Sequence, residues 1–443
     1  MEHILYGYEL NATTWVYLSS LLTIAIYFKF SRLWSMRNFD LLVLIAQAPG
    51  LLMVVKEGEV AYWGYVWLFV AGGVLLLRML FDAWMVRRPL LEPNLSAGGM
   101  TFIAASLAVF MMVNVLTNKV DPRDLEGPRE LDKMLFGDDA RPDNKVVARH
   151  GPGYSLLHII PSITTKAVSL KDEPATAEQG HYIVQAATAR TMAILSHLAV
   201  VLGIVMIGVW HFDNIRTGLA AATLYLLMPY TAIMTGRVDH VLPAALMTWA
   251  VASYRRPLVS GMLLGLATGA VYYPFFLLPL WLSFYWHRGL MRFICGFASM
   301  LTLMVIPLAL TSANVDLFLA QMKMMFGWPD LKMSGAEGFW QFHKIDNFYL
   351  YRIPILAAFV ALSICFAIWP ARKNLGMLLS GSAALMLGTQ FWNVHEGGIY
   401  VAWYLPLLLL TIFRPNLEDR VALATLGEGW FARRRMMSRK RAA

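Results

Sequence analysis

The residues best suited to chemistry are a few acids set among scattered cations. Asp121 and Asp124 fall in "TNKVDPRDLEG", and Asp239 follows Arg237 in "GRVDH". A positioned carboxylate can take a proton from an attacking hydroxyl. Arg149, His150 and Tyr154 surround the Gly-Pro-Gly break of "RHGPGYSLLHIIPS". A short amphipathic helix is predicted there, over about 154–166, with Arg149 and His150 at its mouth. Backbone N–H groups at a helix start favour an anion such as phosphate, and the glycines allow a close approach to it. "GFWQFHKIDNFYLYR" adds Lys344 and Arg352 as anion contacts, with Trp340, Phe342, Tyr349 and Tyr351 as stacking surfaces. His240 follows Asp239, and His395 with Glu396 stands at the entrance of another apolar run. Each also has an ordinary reading: a solvated loop acid, an Arg237–Asp239 boundary pair, an interfacial histidine, an aromatic belt.

Several chemistries have no sequence support. There is no HExxH or cysteine cluster for a metal, no Walker loop and no dinucleotide glycine fingerprint. Cys295 and Cys365 both lie inside apolar runs and read as small buried residues. The net charge of +9 does not point to nucleic acid, because the excess sits in short loops and the tail.

The elements that must position these residues are membrane spans. Apolar residues form 58% of the chain and charged residues 15%, with mean hydropathy +0.54. A soluble domain has about 45–50% and about 25%. The expected fold is all-α, a polytopic bundle. Spans are read at 14–30, 39–55, 59–80, 98–117, 189–211, 215–234, 238–254, 257–271, 274–287, 291–311, 351–369, 375–391 and 398–413. The run 257–287 sets the parity. Arg255 and Arg256 precede it, and His287, Arg288 and Arg292 follow it. Basic flanks stay cytoplasmic, so the run should be a hairpin turning near Tyr272-Tyr273-Pro274. Thirteen spans result, with the N-terminus outside and the C-terminus inside. The organisation expected is a three-span extension (1–97), a transmembrane module (98–413) with outer segments at 118–188 and 312–350, and a basic cytoplasmic tail (414–443). No cleaved signal peptide is read, because "MEHILYGYELNATT" is acidic.

Residues 186–287 carry "AATAR", "GLAAATLYLLMP", "GRVD", "RRP", "GMLLGLA" and "YPFFLLP" in that order. This series resembles the C-type (GT-C) glycosyltransferases, in particular bacterial protein-mannosyltransferase-like and lipid-sugar transferases. "HGPGYSLLHIIP" looks like the stretch ahead of that family's second span. The likeness covers about 98–290 and extends more loosely to 413. Relatives often carry a Lys before the "YP", where this chain has Val271 and Tyr272. They also often carry an adjacent acidic pair, where Pro122 and Arg123 here separate Asp121 from Asp124.

The resemblance implies an inverting transfer of sugar from a polyprenyl-phosphate donor to a lipid, glycan or protein acceptor, on the outer face of a bacterial inner membrane. In that chemistry Asp121 is the first choice of base, Asp124 the second, and Asp239 a second acid that orients the acceptor. Arg149, His150, Tyr154, Arg237, His240, Lys344, Arg352, His395 and Glu396 would bind substrate. No cofactor is required, although the family leaves room for a divalent cation on Asp121 and Asp239. Two other classes compete: a lipid or solute transporter, and a non-catalytic membrane subunit on a degenerate GT-C fold. Transporters favour internal repeats and midplane charges, whereas the acids here cluster in one loop.

Overall fold

The computed structural model describes residues 11–56, 58–84, 93–136, 149–169, 177–312, 314–325, 336–342, 348–370, 373–415 and 417. Among them the chain is all-helical, with no β-strand. The first helices are α1 (Ala12–Tyr27), α2 (Met36–Val54), α3 (Glu59–Leu80) and α4 (Ala97–Thr117). Two short helices follow, α5 (Glu126–Phe136) and α6 (Ile159–Ser169), then the long α7 (Ala177–Trp210). Next come α8 (Ile215–Leu227), α9 (Pro229–Ile233), α10 (Val238–Ala252), α11 (Pro257–Ala270) and α12 (Leu278–Tyr285). The chain ends with α13 (Leu290–Thr311), α14 (Val315–Met325), α15 (Arg352–Ile368), α16 (Leu375–Trp392) and α17 (Leu405–Phe413).

Among the described residues, α2, α3, α4, α7 and α13 are long and apolar enough to cross a membrane. Their outward faces are apolar rather than polar. Trp63, Val70 and Leu77 on α3, Phe102 and Val109 on α4, and Leu303, Ile306 and Leu310 on α13 are all exposed. A helix facing water turns polar residues outward. A belt of large apolar side chains instead suits a hydrocarbon surrounding, and marks the protein as membrane-associated.

Helix limits follow local chemistry. The run expected at 215–234 is split at Met228, which is extended (φ −60°, ψ 133°), because Pro229 disfavours helix in the residue before it. The stretch 257–287 is two antiparallel pieces, α11 and a 3₁₀ turn at Tyr273–Leu277 leading into α12. Gly261, Gly265 and Gly269 recur every fourth residue on α11. A β-carbon on Gly261 would sit 2.2 Å from Phe293 O, and one on Gly265 would sit 2.6 Å from Phe297 O. The glycines let α11 and α13 pack backbone to backbone, as small-residue repeats do in membranes. The last helix begins at Leu405, later than the expected 398, since a 3₁₀ turn at Val401–Trp403 precedes Pro406.

The first three helices pack directly on the rest. The Tyr27 hydroxyl donates to Ala220 O at 2.7 Å, and Gln47 Nε2 donates to the Tyr404 hydroxyl at 2.8 Å. Arg78 grips Asp40 through two hydrogen bonds of 2.8 and 3.0 Å. Arg78 and Arg414 both reach Asp82, at 3.2 and 2.7 Å.

Candidate active site

At one end of the bundle lies a cavity of about 780 Å³. Its wall is shared by the start of α1, the end of α2, the end of α4 with the loop after it, α7 near Arg190, the α9–α10 turn, and Glu396 with Ile399. Asp121, Asp124 and Arg237 all line it.

The two loop acids differ. Asp121 is exposed, and its Oδ1 accepts the backbone N–H of Arg123 at 2.9 Å, a local turn. Asp124 is buried, with 4% exposure. Its Oδ1 has no hydrogen-bond partner and lies 3.5 Å from Arg237 Nε. Burial pushes the Asp124 carboxyl well above the usual carboxylate range. Arg237 opposes that shift, while Asp239 adds to it. The dominance of burial fits the geometry, because the guanidinium reaches Asp124 at ion-pair distance only and makes its hydrogen bonds to the neighbouring acid. Arg237 Nε and Nη2 donate to Asp239 Oδ1 and Oδ2 at 3.1 and 2.9 Å. Gly236 leaves room for this arrangement, since a β-carbon there would stand 3.1 Å from Asp124 Oδ2.

Around Asp239 the packing is tight. Trp403 Nε1 donates to Asp239 O at 3.1 Å. The His240 ring shares a 2.5 Å hydrogen bond with the Tyr230 hydroxyl and lies 4.4 Å from the Tyr400 ring. Asp239 is therefore a held acid, and Asp124 the carboxylate with an oxygen to spare.

The Gly-Pro-Gly corner is held by the end of α11. Gly151 N–H donates to Ala270 O and Gly153 N–H to Gly269 O, both at 2.8 Å. A β-carbon on Gly151 would meet Gly269 O at 2.3 Å, and one on Gly153 would meet the Met304 sulfur at 2.1 Å. The glycines thus allow approach to a helix end rather than to a ligand. The expected surface helix is a 3₁₀ turn at Ser155–His158 that runs into α6. Tyr154 is buried and stacks on His150 with ring centroids 4.1 Å apart. His158, fully buried, is pushed down to about 4 by desolvation.

Arg149 and His150 are committed to acids. Arg149 donates to Glu126 Oε1 at 2.7 Å and also to Glu337, and His150 Nε2 donates to Glu126 Oε2 at 3.2 Å. Against its burial, Glu126 is held below the ordinary range by His150 and then Arg149. Glu396 pairs with Arg123. Its backbone is left-handed (φ 52°), a costly conformation for a non-glycine residue. Glu396 N–H donates to Glu337 O at 3.3 Å, and Glu337 N–H donates to Val394 O at 2.9 Å. Burial lowers His395, whose Nδ1 has no partner among the described residues.

Asp121, Asp124, Asp239, Arg149, His150, Arg237, His240 and Glu396 are thus gathered at one end of the bundle, with Tyr154 beneath them. Arg352 is turned toward the chain itself: Nε donates to Trp392 O at 2.8 Å, and the guanidinium lies 5.8 Å from the Trp392 ring. Lys344 falls outside the described residues. Arg123, Glu126 and Glu337 were not foreseen as site residues, although they carry much of the ion pairing. Sequence spacing gives no sign of them, because Glu126–Arg149 and Arg149–Glu337 join distant segments. A divalent cation does not fit this donor set: Arg237 already bridges Asp124 and Asp239, and Asp121 is engaged with its own turn. Among the described residues no group of three or more metal-ligating side chains converges.

No protein-family model matches the chain, and no curated protein matches it either.

Proposed function

We propose that this protein is an integral membrane glycosyltransferase of the GT-C type, moving a sugar from a polyprenyl-phosphate donor to an acceptor hydroxyl with inversion. The observation that carries the reading is Asp124: a buried carboxylate whose Oδ1 accepts no hydrogen bond and only faces Arg237, on the wall of a large cavity at the end of a membrane bundle. A base works best with a pKa near the working pH, and burial moves Asp124 upward. The acceptor oxygen attacks the anomeric carbon, the bond from that carbon to the phosphate oxygen breaks, and Asp124 takes the hydroxyl proton. The prenyl phosphate departs with its electron pair, and cations in the cavity stabilise the developing charge. Asp239, clamped by Arg237, fixes the guanidinium and orients the acceptor side. Asp121 is the reserve base.

In this reading the chain crosses the membrane thirteen times, with the N-terminus and the segments 118–188 and 312–350 outside and the tail inside. In support, residues near 12, 55, 120, 236 and 396 share the cavity, whereas Arg255, Arg256 and Arg288 belong to turns at the other helix ends. Orientation is tested by labelling Lys119→Cys and His287→Cys from outside intact cells, in a background lacking Cys295 and Cys365. Labelling of Lys119→Cys alone is expected, and labelling of His287→Cys alone reverses the orientation.

The activity is tested with purified protein and defined polyprenyl-phosphate sugars. Asp124→Asn is expected to lose about 10²–10⁴ in transfer rate while still binding donor. Near-normal turnover by Asp124→Asn, with loss in Asp121→Asn, would move the base to Asp121. Absence of transfer by the native protein from every donor would favour the non-catalytic reading.

A further inference from the structure

The helices before residue 97 have no counterpart in the GT-C resemblance, yet they build part of the cavity. Asn11, Ala12 and Trp15 at the start of α1, and Val54, Val55 and Lys56 at the end of α2, line it together with Asp124. Trp15 stacks on Phe110 of α4 with centroids 5.0 Å apart and planes 16° apart, so the two helices meet through an aromatic pair at the cavity edge.

The charges on the wall sort into two groups. Arg123 is neutralised by Glu396, and Arg237 by Asp239. Lys56, Lys119 and Arg190 also line the cavity, and none of them has a carboxylate partner among the described residues. Lys56 and Lys119 are exposed, and Arg190 is half-buried. Arg190 Nη2 donates to Asn118 O at 2.9 Å, which fixes the guanidinium beside the loop bearing Asp121 and Asp124. Its Nε is buried and has no partner. The Trp15 indole Nε1 is likewise buried without a partner. Cations without a carboxylate partner on a cavity wall are what an anion would satisfy, through charge-assisted hydrogen bonds.

We propose that Lys56, Lys119 and Arg190 form the subsite for the phosphate of a prenyl phosphate, with the prenyl chain leaving the cavity past Trp15 and Phe110. This rests on the glycosyltransferase reading for the identity of the lipid, and it makes the N-terminal helices part of the substrate site. It also moves the phosphate away from Arg149, whose charge is already spent on Glu126 and Glu337, and from His150, whose Nε2 is hydrogen-bonded to Glu126.

The test is equilibrium binding of farnesyl phosphate to the purified full chain in detergent, with farnesol and inorganic phosphate as controls. Farnesyl phosphate should bind at least about tenfold more tightly than either control, since farnesol lacks the charged group and inorganic phosphate lacks the apolar chain. Lys56→Glu and Arg190→Gln should each weaken it by about tenfold, the loss of one charge-assisted contact. Arg216→Gln, an exposed cation at the start of α8 and away from the cavity lining, should leave it unchanged. Lys56 is exposed, so Lys56→Glu keeps the test valid if Arg190→Gln fails to fold. Wild-type affinity in Lys56→Glu and in a folded Arg190→Gln would overturn the subsite while leaving the enzyme reading intact. Farnesol binding as tightly as farnesyl phosphate would also overturn the subsite. No binding of farnesyl phosphate by the native chain would overturn both readings.

Discussion

At the scale of single residues, the site is a contest for cations. Arg237 can satisfy one carboxylate fully, and it satisfies Asp239. Asp124 is left buried, with its pKa raised first by desolvation. The consequence for stability has a definite sign. The neutral acid is the form the fold prefers, so its contribution is full below the ordinary aspartate pKa of about 3.9. That contribution is lost as pH rises through the raised value. Asp124→Asn, which cannot ionise, should melt at or above the wild-type temperature at pH 8, and the difference should vanish near pH 4. The same shift predicts that the acid limb of transfer lies above the usual carboxylate range. A pH–rate profile and melting curves at the two pH values check both. Gly236→Ala should press on Asp124 Oδ2 and lower transfer with little change in donor binding. Much of this site was legible in the sequence, because Asp124, Asp239, Arg237 and His150 stand in short motifs at span ends. The order of the two loop acids was not legible. The resemblance puts Asp121 first, but only packing shows that it caps a turn while Asp124 is buried. Glu337 lay beyond reach for the same reason, since its partner Arg149 is 188 residues away in the chain.

At the scale of elements, the glycine row of α11 does two jobs. It lets α13 approach along its length, and its last member, Gly269, accepts the backbone of the 149–154 corner together with the next residue, Ala270. The corner therefore sits where it does because α11 ends where it does. Gly265→Leu puts a side chain where Phe297 O stands and should force the two helices apart, at a cost of about 1–3 kcal/mol or more. Resistance to unfolding in an SDS titration measures this, and a substitution without effect would show that the helices can separate freely. Gly151→Val should act more locally. It should detach Arg149 and His150 from Glu126 and lower activity more than stability, compared by transfer assay and melting curve. The hairpin at 257–287 was legible because basic flanks and a proline constrained it. The break at Met228 and the late start of α17 were hidden inside unbroken apolar runs. There hydropathy is uniform, and only proline marks where the helix stops.

At the scale of the whole molecule, the first three helices are bound to the rest at both ends of the bundle. Near the site α1 and α2 wall the cavity. At the other end Asp82, fully buried, takes Arg78 from α3 and Arg414 from just past α17. Between the two, Tyr27 holds Ala220 and Gln47 holds Tyr404. Breaking one member of a buried ion pair strands its partner and costs about 3–5 kcal/mol. Asp82 keeps Arg78 when Arg414 is removed, so Arg414→Ala should destabilise by less than that, although it lies far from Asp124, and the folded fraction should keep its turnover per molecule. The architecture also predicts the behaviour of a divided chain. Residues 98–443 expressed alone should fail to give a stable detergent-soluble protein. Co-expression of 1–97 with 98–443 should restore one that copurifies, and Arg414→Ala should weaken that copurification. A fragment 98–443 that is stable and transfers sugar alone would show that the early helices are an accessory, and would remove Lys56 from the substrate site with them.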